Sequence, residues 1–177
     1  MTPLKLLVLC LVVLLINGAC STATQNSNIA TPASPSPVTQ RVTSESVVKV
    51  SAQPVQVTAG ESAETAVRIT IQTGYHVNAN PPTFPYLKAT TLVVPPAEGI
   101  SLGTITYPKA LQKKFAFAEK ELAVYEGDAE VKAQLKVDKT TPKGERSVPA
   151  EMRIQACDDQ VCYPPGTIAF AIPVTIK

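Results

Sequence analysis

The 177-residue chain carries 16 basic and 14 acidic residues, a formal net charge of +2. Its longest basic run is Lys113-Lys114, so it lacks the electrostatic footprint of a nucleic-acid binder and no such partner is expected. Sixteen prolines, no tryptophan and few long helix-forming stretches favour a β-rich fold.

Chain order begins with a leader pattern. After Lys5 comes an uninterrupted apolar run, Leu6 to Ile16, then Asn17-Gly18-Ala19-Cys20. The run is shorter than the roughly 20 residues a membrane-spanning helix needs, and it reads as the core of a secretory signal peptide, residues 1–19. Cys20 after Gly18-Ala19 is similar to a bacterial lipobox, although Asn17 stands where leucine is usual. Cys20 is therefore expected to be lipidated and to hold the protein at a membrane. The alternative is an ordinary signal peptide that leaves Cys20 as an unpaired thiol. Cys10 is lost with the leader either way.

Residues 20–46 are rich in Ser, Thr, Ala and Pro and lack periodic apolar spacing, as in Ala30-Thr31-Pro32-Ala33-Ser34-Pro35. Such a stretch cannot bury enough apolar surface to offset its ordering entropy. It is read as a tether that would span roughly 25–30 Å as a flexible coil. The folded domain is expected over residues 47–177.

Period-2 alternation dominates that domain. Val67, Ile69 and Ile71 alternate with polar residues, as do Val131, Ala133, Leu135 and Val137. Val148, Ala150, Met152, Ile154 and Ala156 form another face, and Ile168, Phe170, Ile172, Val174 and Ile176 close the chain. Weaker strands are expected at Val47–Val57, Leu87–Val94, Ile100–Thr106 and Leu122–Tyr125, separated by breakers such as Pro95-Pro96 and Glu126-Gly127-Asp128. Seven to nine short strands with frequent turns predict an all-β, immunoglobulin-like antiparallel β-sandwich. The segment Lys109–Lys120 is irregular. Spacing favours Phe115 and Phe117 as core residues on one face of a short strand, against a loop that presents an aromatic ring over a site.

Outside the cytoplasm a nearby cysteine pair is a disulfide candidate before it is a zinc site. Cys157 and Cys162 are separated by Asp158-Asp159-Gln160-Val161, with a strand pattern on either side. If those strands pair as a hairpin, the cysteines oppose each other at about 4.5–5.5 Å between Cβ atoms, within reach of a bond. Closing so short a loop removes only about 2 kcal/mol of unfolded-chain entropy. A domain this size can build its core without such a staple, which favours a redox role. Asp158 and Asp159 would disfavour a neighbouring thiolate, or simply serve the turn; the two readings are compatible.

Metal binding fits poorly. A blue-copper site needs two histidines, and the chain has only His76, in Gly74-Tyr75-His76-Val77-Asn78; zinc would want four ligands at tighter spacings. His76 is expected to be structural or superficial, and no metal or cofactor is expected.

The run Gln155-Ala156-Cys157 through Cys162-Tyr163-Pro164-Pro165 resembles the cysteine motif of the N-terminal periplasmic domain family of the thiol:disulfide interchange protein DsbD. Gly74–Asn80, Lys120–Gly127 and the last strand fall in that family's order. The resemblance implies an immunoglobulin-like sandwich acting as a thiol–disulfide oxidoreductase in the periplasm. Its cysteine pair would take electrons from a membrane thiol reductase and pass them to thioredoxin-like partners through mixed disulfides. It further implies that Cys162 forms the mixed disulfide and Cys157 resolves it. A cap loop would shield the pair with an aromatic ring, Phe115 or Phe117, and Tyr125 and Tyr163 would lie nearby. Two departures stand out: four residues separate the cysteines where the best-known members have five, and no Cys-x-x-Cys occurs. The competing expectation is a non-catalytic binding or assembly sandwich whose disulfide is a structural clip.

Overall fold

The computed structural model describes residues 41–177. The expected signal peptide, Cys10, Cys20 and the tether up to residue 40 lie outside the described residues. After a 3-10 turn at Glu45–Val47, twelve strands follow among the described residues: β1 (Val48–Ala52), β2 (Val55–Val57), β3 (Ser62–Ile71), β4 (His76–Asn78), β5 (Thr91–Val93), β6 (Ile100–Thr106), β7 (Leu111–Lys113), β8 (Leu122–Tyr125), β9 (Asp128–Val137), β10 (Gly144–Ile154), β11 (Ala156–Cys157) and β12 (Gly166–Ile176).

They form three four-stranded sheets, ordered β1-β3-β9-β6, β2-β12-β10-β5 and β11-β4-β8-β7. The first two are the layers of an immunoglobulin-like β-sandwich, antiparallel apart from the parallel pairing of β2 with β12. Alternation in the sequence decides which side chains enter its core. In β9 every second residue is buried, from Ala129 to Val137, while the lysines between them are exposed. Val67, Ile69, Val131 and Leu135 of the first layer share one core with Val148, Met152, Ile154, Ile172 and Val174 of the second.

Two expected strands are each divided between sheets. Val47–Val57 breaks at Gln53-Pro54, because proline has no N–H to continue a ladder. β1 then pairs with β3 in one layer and β2 with β12 in the other. The run Val148–Ala156 breaks at Gln155: β10 pairs with β12 up to Ile154↔Gly166, whereas β11 pairs with β4 in the third sheet. Of Leu87–Val94, only Thr91–Val93 is strand.

The third sheet positions the cysteines, and its β4 and β7 were not expected as strands. All three residues of β4 are buried, so it shows no alternation to detect. One face of the sheet turns Val77, Tyr125 and Ala156 into the sandwich core. The other carries Leu122 and Val124, which pack with Phe115 into a separate small cluster. Ser44, just before the Glu45–Val47 turn, is fully buried.

Candidate functional site

β10 and β12 run as one long hairpin, and its tip holds both cysteines. Cys157 lies between two partners in register: His76 of β4 on one side and Cys162 on the other. Cys157 and Cys162 are joined by a disulfide with their Cα atoms 3.9 Å apart. The turn is closed by the Asp158 N–H donating to the Val161 carbonyl (2.9 Å) and the Tyr163 N–H donating to the Ala156 carbonyl (2.8 Å).

Asp158 serves this turn. Its Oδ1 accepts the N–H groups of Gln160 and Val161, each at 2.8 Å, and its Oδ2 accepts the Tyr163 hydroxyl at 2.6 Å. The tyrosine hydrogen bond, helped by the two N–H donors, holds the Asp158 carboxyl below the usual carboxylate range. The same bond pushes the Tyr163 phenol up to about 12. Asp158 binds its proton more weakly in the folded hairpin than in the unfolded chain. Its stabilisation is therefore complete above the ordinary carboxylate pKa near 4 and is lost as pH falls through the lower folded value. Asp158→Ala is expected to loosen the turn at neutral pH and to remove this acid transition, as read by amide exchange at Gln160 and Val161. Asp159 is exposed.

A contact from far upstream clasps the hairpin base. The Ser44 hydroxyl accepts the Ala156 N–H (2.9 Å) and donates to the Pro164 carbonyl (2.7 Å), bridging the strands on either side of the disulfide. Glu45 adds an acceptor for the Thr167 N–H. Because Ser44 is fully buried, Ser44→Ala strands a backbone donor without water. A loss of about 1–3 kcal/mol in urea unfolding is expected, with faster exchange of the Ala156 amide. Nothing in the composition around Ser44, which matches the tether, signals this contact.

The two sulfurs differ in access. Cys157 is 0 % exposed, whereas Cys162 is partly exposed and lines an open cleft of about 680 Å³ with Phe84, Tyr86, Leu87, Phe117 and Val161. The two phenylalanines also differ. Residues 114–120 form a loop, so the expected shared strand face is absent. Phe115 is buried and stacks on His76 with ring centroids 4.1 Å apart. Phe117 is 41 % exposed, stacks on the outer side of Phe115 at 5.5 Å and reaches the cleft beside Cys162. Lys113 lies 5.7 Å from the Phe115 centroid and pairs with Glu126 at 2.6 Å.

Other candidates fall elsewhere. Tyr125 is on the core-facing side of the third sheet, bonded through its hydroxyl to the Asn80 backbone, and burial pushes its phenol up. Tyr163 lies on that side too, 6.1 Å from Tyr75. His76, expected to be merely structural or superficial, is buried directly opposite Cys157, a placement that only the β4–β11 register discloses. Among the described residues no group of three or more His, Cys, Asp or Glu side chains converges to hold a metal ion.

A β-sandwich with a cysteine pair at a hairpin tip, one sulfur sealed and the other facing a cleft, has the form of a thiol–disulfide exchange domain. The family model for the N-terminal region of thiol:disulfide interchange protein DsbD matches residues 43–173, and the chain belongs to that family, as the hairpin motif implies. Among solved structures it is similar to the Neisseria meningitidis DsbD N-terminal domain in the reduced form, with 21 % identity over 74 % of this chain and 87 % of that one and a TM-score of 0.47. It is also similar to a chain in the complex between the DsbD and PilB N-terminal domains of the same organism. That match has 22 % identity and a TM-score of 0.42, covering 61 % and 73 % of the two chains. A type I cohesin from Pseudobacteroides cellulosolvens is similar at 11 % identity and a TM-score of 0.43, covering 74 % of this chain and 92 % of that one. No curated protein matches the chain.

Proposed function

We propose that the domain is an extracytoplasmic electron relay. It takes reducing equivalents from a membrane thiol reductase and delivers them to oxidised thioredoxin-like partners, held near the membrane by a lipid on Cys20. The observation that carries this reading is the unequal access of the sulfurs: an incoming sulfur can approach Cys162 from the cleft, while Cys157 stays sealed behind it. Family membership supports the chemistry.

In the reduced domain, the Cys162 thiolate attacks one sulfur of the partner disulfide, and the partner's other sulfur leaves as a thiolate. Cys157 then attacks the Cys162 sulfur of the mixed disulfide, so the Cys157–Cys162 bond forms and the partner departs with both its sulfurs reduced. Two electrons pass to the partner. Phe117 shields Cys162 until a partner displaces it.

Mixing a reduced Cys157→Ala variant with oxidised thioredoxin-like proteins should accumulate a mixed disulfide through Cys162, identified by mass spectrometry of the linked peptides. Absence of that adduct with every such protein overturns the relay.

A further inference from the structure

His76 is buried at 1 % exposure, its Nε2 has no hydrogen-bond partner, and the relay as described makes no use of it. A sealed polar nitrogen without a partner is unfavourable, since it has given up water and gained nothing. Its place in the register is informative. His76 is the direct antiparallel partner of Cys157, so both side chains leave the same face of the third sheet, with Cβ atoms about 4.5–5.5 Å apart. Phe115 closes over the ring and excludes water. In the disulfide state the Cys157 sulfur has no proton to offer. Reduction gives Cys157, the cross-strand neighbour of this ring, a thiol proton, while Nε2 has no hydrogen-bond partner of its own.

We infer that Nε2 of His76 accepts the Cys157 thiol proton and so generates the thiolate that resolves the mixed disulfide on Cys162. The inference rests on the relay reading and adds the residue that drives its second half. The S–H bond of Cys157 breaks and its proton passes to Nε2. The thiolate attacks the Cys162 sulfur, the bond from Cys162 to the partner breaks, and the electron pair leaves on the partner sulfur as a thiolate. The imidazolium afterwards returns its proton to solvent or to that thiolate. The domain is oxidised from dithiol to disulfide, and the partner is reduced.

The charged surroundings fit this cycle. Burial is the largest influence on the His76 pKa and lowers it, and Lys113 of β7 acts in the same direction, favouring the neutral ring. Glu126 after β8, and Asp159 and Asp158 at the hairpin tip, act in the opposite direction and favour the imidazolium once it forms. The two aspartates, which look unhelpful beside a thiolate, suit a neighbouring base that becomes cationic. Tyr125 projects from the other face of the sheet into the sandwich core, and the half-buried Tyr163 turns its hydroxyl to Asp158.

The test uses the adduct of Cys162 with 5-thio-2-nitrobenzoate, which Cys157 attacks to release the coloured thiol, so no biological partner is needed. His76→Gln retains a hydrogen-bond acceptor but cannot take a proton; His76→Phe removes both functions. In the native protein, release should already be fast at neutral pH and should slow only as acid protonates the imidazole. Both variants should release about 100-fold more slowly near pH 7, and their rate should climb only toward the ordinary thiol range above pH 8, approaching the native rate there. Equal rates and equal pH profiles in folded His76→Gln and native protein would overturn the inference, even where Cys162 captures partners normally. Failure of capture by the Cys157→Ala variant would instead overturn the relay and leave this comparison readable. If His76→Phe does not fold, His76→Gln alone decides.

Discussion

Met152→Ala is expected to cost about 2–5 kcal/mol of stability, more than reducing the Cys157–Cys162 bond, which should change it by about 2 kcal/mol or less. Met152 is fully buried at the centre of the second layer, in register with Ile168 on one side and Leu92 on the other. Truncating it removes apolar contacts and leaves a cavity that two rigid sheets cannot close. The disulfide joins residues only five apart in sequence, so it constrains little of the unfolded chain. Urea unfolding of the oxidised, reduced and Met152→Ala proteins measures all three. A reduced domain that unfolds more readily than Met152→Ala would mark the disulfide as a structural clip. So would a reduction potential below about −300 mV, the range of disulfides that resist exchange.

Phe115→Ala and Phe117→Ala should separate sharply despite lying two residues apart. Phe115 fills the small cluster with Leu122 and Val124 and covers His76, so its loss should cost about 3–5 kcal/mol and admit water to the buried face. Phe117 is held mainly by its stack on Phe115, and removing it should cost about 1 kcal/mol. In the reduced protein, however, Phe117→Ala should speed alkylation of Cys162 several-fold, because the ring forms part of the wall of the cleft through which a reagent reaches that sulfur. Rates of iodoacetamide labelling at Cys162, read beside thermal melts, check both halves. An unchanged labelling rate would remove Phe117 from the role of cap.

The alternation in β3, β9, β10 and β12 was sufficient by itself to specify an all-β sandwich and most of its core, because a half-buried strand must place every second residue inward. The cysteine hairpin was equally local. Three polar residues and Val161 between strand patterns bring the two sulfurs together in one hairpin, and the same segment carries the family resemblance. Tertiary structure alone decided the rest. Pro54 and Gln155 transfer the chain between sheets, and only the assembled layers show which partner each half finds. β4 is buried on both faces and has no period to read, so nothing local could place His76 against Cys157. Ser44 reads as tether until its hydroxyl is seen bridging strands more than a hundred residues away. Phe115 and Phe117 differ because a loop, not a strand, carries them across the third sheet, one ring inward and the other over the cleft. Period-2 burial is a property of each strand alone, whereas the surroundings of a sulfur or an imidazole are set by strands distant in sequence.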